Sequence, residues 1–344
     1  MRRNLLAGAV VMLVFFAVLE GGLRLSGRVA TDALRSPDLE TLDRIPGLFE
    51  PGQDLIDRIK PAVPFHIHIN SLGLRGREFP RARTAGVARV LCLGDSYTFG
   101  AHVDEAQTFP AQLERILAVE EDRRVEVVNA GANGFTITDE LVYLKQKGLG
   151  LHPDLIVLSF SQNDIGDMSR KQLMIDSMRE HAGLKSTFLL GPTLRFLQHT
   201  AIFNAMQQGA AWLRVSTRAA NEPATVANSP DLWRLYLMAL EETITLARQR
   251  GVRILLVIWP SAAQVAGTEP REAQEALATA ARGLLLDSLD LIPVLRDVPP
   301  AGAGAFLLPF DGHPSPRGHE AAARAIAGSV AVLLPPAGQA QVER

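Results

Sequence analysis

Residues Arg89–Gly100 read "RVLCLGDSYTFG". The run Val90–Leu93 is apolar without alternation, which marks a strand buried on both faces, and it stops abruptly at Gly94, Asp95 and Ser96. The chain downstream repeats this strand signal, with amphipathic helical stretches between. "TFPAQLERILAV" offers Thr108 as a cap, with Leu113, Ile116 and Leu117 at helical spacing. "VEVVNAG" predicts a second strand, "TDELVYLKQKG" a helix and "PDLIVLSF" a third strand. "DLWRLYLMALEETITLARQRG" predicts a long helix ending at Gly251, "RILLVIW" a fourth strand, "EAQEALATAARG" a helix and "LLLDSLDL" a fifth strand. This alternation predicts an α/β domain with a mainly parallel sheet of about five strands, covered by helices on both sides.

The flanks carry different signals. Arg2 and Arg3 precede the uncharged stretch "LLAGAVVMLVFFAVL", Leu5 to Leu19. As a helix it spans about 22 Å, and continuing to Leu25 makes up the hydrocarbon thickness of about 30 Å. Glu20 and Arg24 then stand four apart on one face, placed to pair. The expectation is an uncleaved membrane anchor, with a cleaved signal peptide as the rival; small-x-small cleavage sites are missing just after the run. Basic residues ahead of the apolar stretch place the N-terminus inside and the bulk of the chain on the extracytoplasmic side. Residues 1–27 are thus read as the anchor, 28–64 as a tether, 65–335 as the main domain and 336–344 as a tail. A helical insertion at 167–230 reads either as a lid over a site or as a satellite helix pair packed on the body.

Composition excludes several classes. Lys and Arg total 35 against 37 Asp and Glu, with no basic stripe, so nucleic acid is not an expected partner. Cys92 is the only cysteine, which excludes an intrachain disulfide and a multi-cysteine metal site; it reads as a small core residue. In "FHIHINSLGLRG", a short edge strand or turn, His66 and His68 share one face. No third ligand is near them, so they read as a polar strand face rather than a metal site. Nothing calls for a metal or an organic cofactor.

Sites in parallel α/β sheets form beyond the carboxyl ends of the strands. Ser96 follows the first strand. Asn129, Gly131 and Gly134 close the second in "NAGANG". Asn163 and Asp164 follow the third in "SQNDIGD". Asp311 and His313 lie in "DGHPSPRGHEAA" near the end of the chain. A serine hydroxyl needs a base to become a nucleophile. His313 would be that base, and Asp311, two residues away in an extended segment, would orient its imidazole. Pro314 favours the extended geometry, and Ser315 with Pro316 reads as a helix start. The amides of Ser96 and Gly134 and the side chain of Asn163 would supply donors to an oxyanion. His319 is a rival base, set inside the predicted helix. Asp95 and Asp164 read as loop braces.

The blocks GDSYTFG, NAGANG, SQND and DGHP, in that order, resemble those of the SGNH (GDSL-type) hydrolases. "INSLGLRG" is similar to the lead-in of membrane-anchored bacterial members. The resemblance implies a three-layer α/β/α, flavodoxin-like domain acting on carboxylic esters, O-acetyl esters among them, borne by an acylated glycan or lipid. It also implies Ser96 as nucleophile, Ser96, Gly134 and Asn163 as oxyanion donors, and Asp311 with His313 as the acid–base pair. The family commonly spaces that Asp and His three apart; here they are two apart. The leading reading is a serine esterase. The alternatives are an O-acyltransferase acting on a cell-surface polysaccharide, and a catalytically silent carbohydrate-binding protein on the same fold.

Overall fold

The computed structural model describes residues 2–26, 34, 43–57, 64–169, 200–202, 205–206, 229–296, 306–308 and 312–334, with the side chains of the first helix described from Val10 to Leu25. Most of the insertion at 167–230 and the tail at 336–344 lie outside the described residues, as does Asp311.

Five strands form one parallel sheet: β3 (Ala88–Gly94), β4 (Val125–Gly131), β5 (Leu155–Phe160), β6 (Arg253–Ile258) and β7 (Asp287–Asp290), in the order β4-β3-β5-β6-β7. These are the five strands expected from the apolar runs. Before them, β1 (Asp54–Asp57) and β2 (Phe65–His68) make a two-stranded sheet. β1 falls within the stretch read as a tether. On β2, Phe65 and Ile67 are buried, His66 is exposed and His68 is half-buried.

Alternation along the strands divides the core into two layers. Val90 and Cys92 of β3, Val157 of β5 and Val257 of β6 pack against helices α3 (Phe109–Val119) and α9 (Pro316–Leu333). Leu91 and Leu93, Ile156 and Leu158, and Leu256 face the other way. They pack against α4 (Ile137–Gln146), α5 (Pro230–Gln249) and α7 (Glu272–Gly283). Helices on both faces make the domain α/β/α. Both anticipated caps are present: Thr108 accepts from the Ala111 N–H, and Ser315, followed by Pro316, accepts from the Gly318 N–H. Cys92 is fully buried, and burial pushes its thiol pKa up, out of any nucleophilic role.

The sheet order fixes where a site can form. From β3 the chain crosses to β4 on one side and then returns to β5 on the other, so β3 is the point where winding reverses. The crevice of a doubly wound sheet opens there, beyond the carboxyl end of the strands. Short helices line that end: α2 (Ser96–Phe99) after β3, α6 (Ala262–Ala266) after β6 and α8 (Ile292–Arg296) after β7.

The chain divides into two compact units. One comprises Met1–Leu34, Leu55–His66 and Leu173–Pro223; the other, which holds the five-stranded sheet, comprises Arg35–Asp54, Ile67–Gln172 and Ala224–Arg344. The first contains α1 (Arg2–Ser26). In α1, Arg24 Nε donates to Glu20 at 2.7 Å, the pair expected from their spacing. The Glu20 carboxylate also accepts from the backbone N–H groups of Ala201 and Ile202. Among the described residues no helix is long and apolar enough to cross a membrane.

Candidate active site

β3 ends at Gly94 because the chain must turn sharply there. Asp95 is the N-cap of α2, and its carboxylate accepts from the Tyr97 N–H at 2.8 Å. That cap sets Ser96 at the first position of a one-turn helix, where its own N–H has no partner within the helix. α2 lies directly on β4. A Cβ on Gly131 would come within 2.2 Å of the Phe99 amide nitrogen, so only glycine lets the helix approach this closely.

His313 reaches the same point from the far end of the chain. Its Nε2 lies 2.8 Å from Ser96 Oγ. Ser96 is only 9% exposed, so the pair is nearly shielded from water while still reachable. The His313 ring packs against those of Tyr97 and His102. The Tyr97 hydroxyl donates to the Gly312 carbonyl at 3.1 Å, which fixes the peptide just before His313.

The rival histidine has other work. His319 is fully buried, and its Nδ1 accepts from the Phe109 N–H, capping the first turn of α3 at 3.2 Å. Burial, with Arg75 and His313 nearby, holds its pKa down to about 3, so it is a neutral structural group.

Gly134 sits in the turn after β4 with φ of 73°, in the left-handed region, and no atom lies within 4 Å of where a Cβ would be. Asn163 is already occupied: Nδ2 donates to Asp95 at 3.1 Å and to Asp167 at 2.9 Å. Behind the serine these groups form a buried carboxylate cluster. The Ser161 hydroxyl donates to Asp95 at 2.7 Å and also lies 2.8 Å from Asn163 Oδ1 and 3.1 Å from Asp164 Oδ1. The Ser161 hydroxyl has a single hydrogen for these three oxygens, while Asp95 also accepts from the Tyr97 N–H and from Asn163 Nδ2. Burial pushes the Asp95 pKa up, and burial together with Asp95 and Glu140 pushes that of Asp164 well up.

Three residues at the site were not singled out from the sequence: Tyr97, His102 and Arg75. Arg75 is 2% exposed. Its Nη1 donates to the carbonyls of Phe99 and Gly100 and its Nη2 to that of Val103, all at 2.7 Å. In sequence it stands between two glycines in "LGLRGR" and reads as one more surface charge.

Solved structures with a similar fold include a lipase/acylhydrolase from Enterococcus faecalis (17% identity over 72% of this chain and 98% of that one, TM-score 0.44). Another is LAE5, an alpha/beta hydrolase enzyme from the metagenome of Lake Arreo (17%, 74% and 99%, TM-score 0.45). A third is a catalytic mutant of Axe2, an acetylxylan esterase from Geobacillus stearothermophilus (17%, 72% and 95%, TM-score 0.43). No curated protein sequence matches the chain. The GDSL-like lipase/acylhydrolase family model matches residues 92–321, most of the chain and every block around the site, and the chain belongs to that family of ester-bond hydrolases.

Proposed function

We propose that the protein is a serine esterase that cleaves carboxylic esters through an acyl-enzyme on Ser96. The observation that carries this reading is the 2.8 Å contact between Ser96 Oγ and His313 Nε2 at the switch point of the sheet. His313 takes the hydroxyl proton as Oγ attacks the ester carbonyl. The tetrahedral oxyanion then receives the N–H groups of Ser96 and Gly134. Asn163 joins them by turning one Nδ2 hydrogen from its carboxylate acceptor toward the new charge. Each such donor contributes about 3 kcal/mol to the barrier reduction. The His313 imidazolium returns its proton to the departing alcohol. Water, deprotonated by the same ring, then releases the acid and restores Ser96. Asp311 orients His313; this role rests on sequence position, since Asp311 lies outside the described residues.

α1 serves as a membrane anchor, with the catalytic domain on the extracytoplasmic side. Support for this comes from the uncharged run Leu5–Leu19 behind Arg2 and Arg3.

The test is covalent. A fluorophosphonate probe should label full-length protein at Ser96, and Ser96→Ala should lose both labelling and hydrolysis of aryl acetates. Undiminished turnover by a folded Ser96→Ala protein would refute the proposal.

A further inference from the structure

The His313 ring is flanked by two rings from one short segment, the one that carries Ser96. Tyr97 lies 5.5 Å from it, tilted by 45°, and His102 lies 5.2 Å from it at 82°, edge to face. Tyr97 is fixed by its bond to the Gly312 carbonyl and by Trp259, whose ring stands edge-on at 5.6 Å. His102 is fixed differently. Its φ is 66°, in the left-handed region, which is uncommon for any residue but glycine although histidine enters it more readily than most. The backbone on either side is held by Arg75, whose guanidinium binds the carbonyls of Phe99, Gly100 and Val103. A buried arginine therefore clamps the peptide on either side of a histidine in an uncommon conformation. Such strain persists only where surrounding structure enforces it, and it concentrates at working sites.

We infer that His102 is a positioning residue for His313, a role that rests on the reading of Ser96 and His313 as nucleophile and base. An imidazole turns about two side-chain bonds, and a modest rotation moves Nε2 off Ser96 Oγ. The Tyr97 and His102 rings, both packed within 5.5 Å of the His313 ring, restrict that rotation. The role needs a flat ring at position 102, not a proton. It predicts that ring removal slows chemistry without weakening substrate binding, and that another flat ring restores the rate.

The experiment compares full-length His102→Asn, His102→Phe and Ser96→Ala on an aryl acetate. Asparagine tolerates the left-handed backbone but has no ring; phenylalanine keeps a ring without imidazole chemistry. His102→Asn should lower kcat about tenfold, near the upper end of what an aromatic pair contributes, with KM within about twofold. His102→Phe should stay within about threefold of the parent kcat. Should His102→Asn not fold by circular dichroism, His102→Gly serves in its place. Unchanged kcat in the ringless variant overturns the inference. So does equal loss in the Asn and Phe variants, or a rise in KM at constant kcat, which would make His102 a substrate contact. Ser96→Ala separates the two claims: activity surviving there refutes the serine reading itself, whatever His102 does.

Discussion

His313 Nε2 lies 2.8 Å from Ser96 Oγ across 217 positions of chain. Ser96 is placed by the end of β3, and His313 by the loop that enters α9. The contact therefore depends on α9 packing beside α3 on one face of the sheet. With His313 as the base, His313→Ala should lower kcat by at least about 10⁴-fold while unfolding at the same denaturant midpoint. His319→Gln, at the nearby histidine, should keep most of the activity and lose stability instead. Steady-state kinetics and urea titration of both variants check the assignment; the opposite pattern would exchange the two roles.

Arg75 gives a second prediction. Arg75→Met keeps the volume of the side chain but removes the donors at 2.7 Å to the carbonyls of Phe99, Gly100 and Val103, leaving Phe99 and Gly100 only the longer bonds from Asn129 Nδ2 and the Val103 N–H. The expected cost is about 3 kcal/mol or more, read from denaturant unfolding. Arg75→Lys should recover only part of it, because an ammonium cannot fork to three carbonyls.

Gly131 tests the seat of the nucleophile. In Gly131→Ala the added methyl meets the backbone of Thr98 and Phe99, which cannot move aside as a flexible side chain would. α2 must lift from β4, and Ser96 moves with it. Fluorophosphonate labelling should slow by at least about tenfold, since displacements near 1 Å cost about that much or more.

Titration of His319 supplies a pH dependence with a definite sign. Its folded pKa, about 3, is depressed from 6.5, so the unfolded chain binds the extra proton between those values. The stability that neutral His319 contributes is complete above pH 6.5 and is lost as the pH falls toward 3. Against His319→Gln, which does not titrate, the parent should lose about 2 kcal/mol of relative stability between pH 7.5 and 5. Urea unfolding of the two proteins across that range measures the difference. A constant difference would mean that the ring titrates alike in the folded and unfolded chain.

The strands and the order of the site residues were legible because both rest on local signals. Apolar runs such as Leu155–Phe160 announce buried strands, and Gly94, Gly131 and Ser161 mark where strands stop. Thr108 and Ser315 were readable as caps because capping acts over three residues. Arg75, Arg89 and His319 were not. Each is buried by partners far along the chain: Arg89, at the start of β3, is fully enclosed beside Glu126 and the Leu151 carbonyl. Nothing within a few residues of a charge reveals that distant carbonyls will receive it. The bonds that Asn163 already makes were not legible for a related reason. Its acceptors belong to two segments, the one after β3 and its own, and they meet only once the sheet has assembled.

The last prediction concerns α1. It carries the uncharged run Leu5–Leu19 behind Arg2 and Arg3. Val11, Leu13 and Val18 are each about 70% exposed, and every side chain of the run Val10–Leu19 is exposed. Exposed apolar side chains pointing in successive directions around a helix gain nothing from water and suit a lipid environment. The first charges after the run, Glu20 and Arg24, bind each other, which lowers the cost of holding them near a bilayer surface. Full-length protein should therefore sediment with membranes, stay there through high salt and alkaline carbonate, and dissolve only in detergent. Its N-terminal peptide, read by mass spectrometry, should include Arg2 or Arg3. A mature terminus near residue 30 would identify the segment as a cleaved signal peptide, and release by salt alone would show that the helix does not enter the bilayer.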